Sequence, residues 1–337
     1  MKQVKLGLIG AGRISQTYAQ VLASVDFARL TAVADIRPGV AAAVAGGLQA
    51  DSFETYEELL EKSDVDAVIV CTPPATHTQI TMDALGRGVH VMCEKPLAIS
   101  LADANKMLDF AARSNAIVTM ASKFRYVDDV VRARSIMTSG ILGDIILLEN
   151  TFASRVDMSQ RWNSDPVVSG GGVLIDNGTH SVDVIRHLLG PIKEVMAVEG
   201  RRAQGLEVED TAQLFLRGES GVRATVDLSW SIDKERDTYL DIYGSEGTIR
   251  VGWRESKYRQ TSSPNWVTFG RGYDKVQATT DQMRNFCRAF TDGEPLRITA
   301  DDALASVEVI EAAYASMTRV DWVPISRSER TLRSVAS

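Results

Sequence analysis

Apolar residues in the first third of the chain fall into short unbroken or nearly unbroken runs, at residues 4–9, 30–34, 65–70, 89–93 and 117–120. Each is four to six residues long, which suits a strand buried on both faces. Between them the period lengthens. Ile14, Tyr18, Val21 and Leu22 fall on one face of a stretch reaching about residue 24, as a helix requires. Pro38 suits the first turn of the next helix. Thr55 with Glu58, and Ser100 with Asp103, read as capping boxes that open two more helices, the second running to about residue 113. A further helix is expected over 79–85. Strands alternating with helices predict an α/β domain, a parallel sheet covered on both faces, over residues 1–124.

The pattern then changes. After a helix near 129–138, segments of alternating apolar and polar residues dominate, at 144–151, 195–201, 210–216, 223–231 and 239–243. Glu219-Ser220-Gly221 and Ser245-Glu246-Gly247 lie between such runs, as hairpin turns do. A helix over 172–189 ends at Gly190-Pro191, and two more are expected over 280–290 and 303–318. This predicts an α+β domain on a mostly antiparallel sheet over 125–325, then a polar, disordered tail over 326–337. No internal repeat is present.

The composition fits two globular domains. The chain has 337 residues, 45% hydrophobic and 24% charged, which excludes a disordered or collagen-like class. Lys+Arg is 37 against Asp+Glu 44, a net charge of −7, which argues against a bulk electrostatic grip on nucleic acid or anionic lipid. No run of apolar residues is long enough to span a membrane, and no secretory leader pattern follows Met1. Cys71, Cys93 and Cys287 are widely separated, so neither a disulfide framework nor a structural zinc site is expected, and the cytoplasm is the simplest compartment.

The first strand runs into Gly10-Ala11-Gly12-Arg13-Ile14-Ser15, which opens a helix. A tight turn and a close backbone approach at a helix N-terminus suit a dinucleotide pyrophosphate. Ser15 stands where the third small residue is usual. Asp35, twenty residues further on, ends the second strand, where a carboxylate accepts hydrogen bonds from an adenosine ribose. It favours NAD, because it would repel a 2′-phosphate. Arg37 leaves NADP open: it either stacks on adenine or grips that phosphate, or is a solvated surface arginine.

Three further segments carry a resemblance: Cys71-Thr72-Pro73-Pro74-Ala75-Thr76-His77, Cys93-Glu94-Lys95-Pro96, and the stretch from Gly170-Gly171-Gly172 through Asp176-Asn177-Gly178-Thr179-His180 to Asp183. With the glycine turn, they resemble the Gfo/Idh/MocA oxidoreductases over nearly the whole chain. The resemblance implies a Rossmann domain followed by a domain with an open, mostly antiparallel sheet. It implies NAD(P)-dependent hydride transfer to or from a sugar, cyclitol or similar polyol. It also implies a homodimer or homotetramer formed through the open sheet. By the same resemblance, Gly10, Gly12, Arg13 and Ile14 hold the pyrophosphate and Asp35 the ribose. Thr72, Pro73 and His77 line the cofactor groove, and Glu94 and Lys95 sit beside the nicotinamide ribose.

Oxidising a secondary alcohol needs a base and a means of stabilising the developing alkoxide. Histidine titrates in the right range, so His180 is the expected proton carrier, with Lys95 polarising the oxygen and Asp176 accepting a hydrogen bond from a substrate hydroxyl or from Lys95. Asp176 and His180 are four residues apart, on one helix face. No metal is expected: Asp176, His180, Asp183 and His187 spread along roughly 16 Å of helix. Lys123 and Arg125, which sit where relatives carry an amide and an arginine, are candidate substrate contacts. Lys123 either adds a cation that favours an acidic substrate or points to solvent. In the loop around 154–163, Arg155 is a candidate anion ligand, and Trp162 either stacks on a sugar or anchors the loop. Two other functions fit the scaffold: a glycoside hydrolase that uses NAD transiently, and a non-catalytic cofactor sensor.

Overall fold

The structure is a computed structural model describing residues 3–325; the tail expected over 326–337 lies outside them. In chain order its first elements are β1 (Val4–Ile9), α1 (Ser15–Leu22), β2 (Ala28–Ala34), α2 (Val40–Gly46), β3 (Asp51–Phe53), α3 (Tyr56–Lys62), β4 (Ala67–Val70), α4 (His77–Gly86), β5 (His90–Glu94), α5 (Leu101–Ala111) and β6 (Val118–Ala121). Then come α6 (Asp128–Thr138), β7 (Ile145–Ala153), α7 (Pro166–Ser169), α8 (Val173–Leu189), β8 (Ile192–Glu199), β9 (Thr211–Gly218), β10 (Arg223–Ser229), β11 (Thr238–Gly244), β12 (Gly247–Gly252), β13 (Ser256–Gln260) and β14 (Val267–Gly270). The described chain closes with α9 (Lys275–Thr291), α10 (Ala300–Arg319) and β15 (Val323–Pro324).

The first unit holds a six-stranded sheet in the order β3-β2-β1-β4-β5-β6, parallel throughout. The order reverses direction between β1 and β4, and that switch point is where such sheets bind ligands. Thr55 and Ser100 cap their helices as expected, accepting from the amides of Glu58 and Asp103. α2 begins at Val40, two residues beyond Pro38. The edge strand β3 was not anticipated: it is short and largely exposed, so it carries no apolar period.

The second domain expected over 125–325 is interrupted. Residues 276–304 group with the first unit, and residues 124–275 and 305–325 form the second. The cause is apolar: Met283, Phe286 and Cys287 on α9 are buried in one cluster with Leu6, Leu8, Tyr18 and Ile69. Their spacing marks one helix face, which covers the first sheet.

The second unit is built on nine strands in the order β14-β13-β12-β11-β7-β10-β9-β8-β15. β10 runs parallel to β7, and the other pairs are antiparallel. Leu214, Leu216, Val226, Leu228, Leu240 and Ile242 are buried on the face covered by α8 and α10. On β9 the alternate residues Gln213 and Phe215 are exposed, so the opposite face is open in this chain.

Candidate functional site

Gly10 leaves β1 with φ +91°, and a Cβ there would lie 2.8 Å from the backbone of Cys71 and Thr72, just beyond β4. The two turns at the switch point therefore touch, and only glycine fits. A Cβ on Gly12 would meet nothing within 4 Å, so this end of α1 opens onto free space that a pyrophosphate fits. Ser15, fully buried, turns its hydroxyl back onto the Gly12 carbonyl at 2.5 Å. Arg13 is exposed at this turn and Ile14 half-buried.

Asp35 lies just past β2. Its Oδ2 accepts from the Ala11 amide at 2.8 Å and from the Arg37 guanidinium at 2.8 Å. Its Oδ1 accepts from the Arg37 amide and Nε, both at 2.9 Å. Of the two readings of Arg37, the structure shows an exposed side chain folded onto the acid it follows. Burial alone would raise the Asp35 pKa, but the hydrogen bonds from Arg37 and Ala11 hold it below the usual carboxylate value. The bonded, ionised carboxylate therefore stabilises the fold above about pH 4, and that contribution fades as pH falls through the depressed pKa. Urea unfolding is expected to show Asp35→Asn less stable than wild type at neutral pH, with the gap closing in acid. A gap that stays constant down to full protonation would contradict this.

At the end of β5, Glu94 accepts from the buried Tyr18 hydroxyl at 2.7 Å and from the Lys95 amide at 3.2 Å. Tyr18 also receives Gln282 of α9 at 3.5 Å. The sequence marked Tyr18 only as part of a helix face, and its partner is far away along the chain. Lys95 and Glu94 are half-buried at the carboxyl edge of the sheet, and the Lys95–Pro96 peptide is cis. Thr72 and Pro73, also half-buried, follow β4 on the same edge.

His77 departs from expectation. It is fully buried rather than lining a groove, because its ring joins two loops: Nδ1 meets the Pro96 carbonyl at 2.8 Å and Nε2 the Thr72 carbonyl at 2.9 Å. Burial lowers its pKa, which favours the neutral ring. It braces Thr72 against the segment carrying Lys95.

In the second unit, Asp176 and His180 occupy successive turns of α8. Asp176 is half-buried, and His180 is 7% exposed with its ring edge-on to Phe124, centroids 5.1 Å apart. One turn further, Asp183 is fully buried and binds Arg125 through Nε at 2.9 Å and through a second guanidinium nitrogen at 2.7 Å. This corrects the expectation that Arg125 contacts substrate: its guanidinium is engaged in the core of the second unit. Among the described residues no group of three or more His, Cys, Asp or Glu is placed to hold a metal ion.

Lys123 is half-buried in the turn after β6. The loop before α8 is anchored not by Trp162 but by buried Met158, whose amide donates to Gln204 Oε1 at 3.0 Å. Gln204 also donates to the Val156 carbonyl at 2.9 Å. Arg155 and Trp162 stay exposed, Trp162 at 44%. No helix among the described residues is long and apolar enough to cross a membrane.

Known proteins match this chain end to end. It is 27% identical over 329 residues to the rhizopine catabolism protein MocA of Rhizobium meliloti, covering 95% of this chain and 96% of that protein. It is 27% identical over 325 residues to myo-inositol 2-dehydrogenase of Thermotoga maritima, covering 93% and 96%. Among solved structures, GenD2 from gentamicin A biosynthesis in complex with NAD superposes with a TM-score of 0.86 at 26% identity, covering 97% of each chain. Residues 4–122 match the oxidoreductase family with an NAD-binding Rossmann fold, and residues 130–250 match the GFO/IDH/MocA C-terminal domain. With both halves matched in order, the chain belongs to the GFO/IDH/MocA oxidoreductases, an NAD-dependent family.

Proposed function

We propose that the protein is an NAD-dependent dehydrogenase acting on a secondary alcohol of a sugar or cyclitol, with Lys95 and His180 handling the proton. The observation that carries this is the placement of Lys95: it follows β5, one strand from the switch point where Gly10, Gly12 and Asp35 form a dinucleotide turn. A relative named as an inositol dehydrogenase supports the substrate class.

Bound NAD would supply the hydride acceptor. The protein supplies the rest. His180, as the neutral imidazole, takes the hydroxyl proton. The Lys95 ammonium offsets the negative charge that grows on the alcohol oxygen. Asp176 accepts a hydrogen bond from a neighbouring substrate hydroxyl and so fixes which carbon reacts. In the reducing direction His180 returns the proton. Gly10, Gly12, Arg13 and Ile14 would hold the pyrophosphate. Asp35 would hold the adenosine ribose, and Arg37 beside it would cover the adenine or accommodate a 2′-phosphate. Glu94, fixed by Tyr18, would hold the second ribose, with Thr72 and Pro73 along the groove. Lys123, Arg155 and Trp162 select the substrate, the two cations favouring an acidic sugar. The open face of the nine-stranded sheet, with Phe215 exposed on it, pairs subunits into a dimer or tetramer.

The test mixes the protein with NAD or NADP and a panel of inositols, hexoses and uronic acids, following reduced nicotinamide by absorbance. NADH formed with at least one polyol is the expected result, with uronic acids turned over faster than their neutral counterparts. Hydrolysis of an aryl glycoside with no net NADH would replace this reading with the NAD-assisted hydrolase.

A further inference from the structure

We propose that Glu209 and Tyr314 form a clamp that fixes the first turn of α8, and so positions Asp176 and His180 for proton transfer. This rests on the catalytic reading of those two residues.

The first amides of a helix have no partner inside it. In α8 the cap position is Gly172, which has no side chain to supply one. Glu209, just before β9, does so from a distance. Its Oε1 accepts from the Gly172 amide at 2.9 Å and from the Leu174 amide at 3.0 Å. Its backbone carbonyl accepts from the Val173 amide at 2.9 Å. Three consecutive amides thus end on one residue. The Tyr314 hydroxyl of α10 donates to the same Oε1 at 2.8 Å, holding the carboxylate in place. The contact is close enough to dictate the sequence: a Cβ on Gly172 would lie 2.0 Å from the Glu209 carbonyl oxygen. The Asp176 amide bonds to the Gly172 carbonyl at 3.1 Å, so the clamped residue begins the turn that carries Asp176, and His180 follows one turn on.

Glu209 is 4% exposed, and burial pushes its carboxyl above the usual range. A glutamine keeps the accepting oxygen without the buried charge, which makes it the informative control. Neighbouring Asp210 accepts from the Ala203 and Gln204 amides at 2.7 and 2.9 Å, and Gln204 holds the loop bearing Arg155 and Trp162. Two adjacent acids therefore secure the start of α8 and the loop before it.

The test is amide hydrogen exchange on the whole protein without substrate, together with NAD affinity and turnover of the best polyol of the panel. Glu209→Ala is expected to speed exchange of amides 172–176 about tenfold, as loss of a helix cap does. Turnover should fall by a similar factor while NAD affinity holds. Glu209→Gln should restore both, and Tyr314→Phe should give a smaller rise in exchange without a risk to folding. Wild-type exchange in both Glu209→Ala and Tyr314→Phe, or a glutamine variant as fast as the alanine one, would overturn the clamp. If instead His180→Ala keeps full turnover, the catalytic reading fails, and exchange still decides the clamp.

Discussion

Replacing His180 with alanine is expected to slow NAD reduction by about 10²–10⁴-fold, the range that removal of a general acid–base group produces. The ring packs edge-on against Phe124 and is nearly buried, so its loss leaves a small void. The defect should therefore appear in kcat, with NAD affinity unchanged, because the dinucleotide turn belongs to the other unit. Lys95→Met should match it in size and differ in kind. It removes the cation proposed to stabilise the alkoxide, so raising the pH, which deprotonates the alcohol more readily, should recover part of the rate. Stopped-flow hydride transfer at several pH values separates the two. Wild-type kcat in either variant would remove that residue from the proton pathway.

Asp183→Ala should be strongly destabilising, by about 3–5 kcal/mol, because it removes the buried carboxylate that pairs with the Arg125 guanidinium. Both side chains are almost fully excluded from water, at 4% and 0% exposure, so solvent cannot replace the lost partner. Arg125→Met, which removes the buried cation itself, should cost less wherever its volume fits. Equilibrium urea unfolding reads both. An alanine variant within about 1 kcal/mol of wild type, the scale of an exposed ion pair, would show that the pair contributes as a surface pair does.

The parallel sheet apart from β3, and β7 to β11 of the second sheet, were legible because those strands announce themselves locally: continuous apolar runs for the buried parallel sheet, alternation for the half-open one. The glycine turn and Asp35 were legible for a related reason, since one βαβ unit sets their spacing. The rest depended on partners far away in sequence. His77 looked like a groove residue because nothing local shows that its ring lies between the carbonyls of Thr72 and Pro96. Arg125 looked like a substrate ligand because Asp183 lies 58 residues away. Glu209 carried no signal, since an acid before a strand ordinarily faces water. β3 was missed because three largely exposed residues have no period to read.

The return of α9 to the first sheet orders events during synthesis. Leu6 and Leu8 leave the ribosome early, whereas Met283 and Phe286, which seal that side of their cluster, emerge after the nine-stranded sheet has all but one of its strands. Until then the nascent nucleotide-binding half carries an uncovered apolar surface, the kind of surface that chaperones hold and that aggregates when they do not. A fragment cut after the sixth strand would keep that surface permanently. The cofactor-binding half is thus contiguous in space but not in the gene, and it cannot be separated by a single cut.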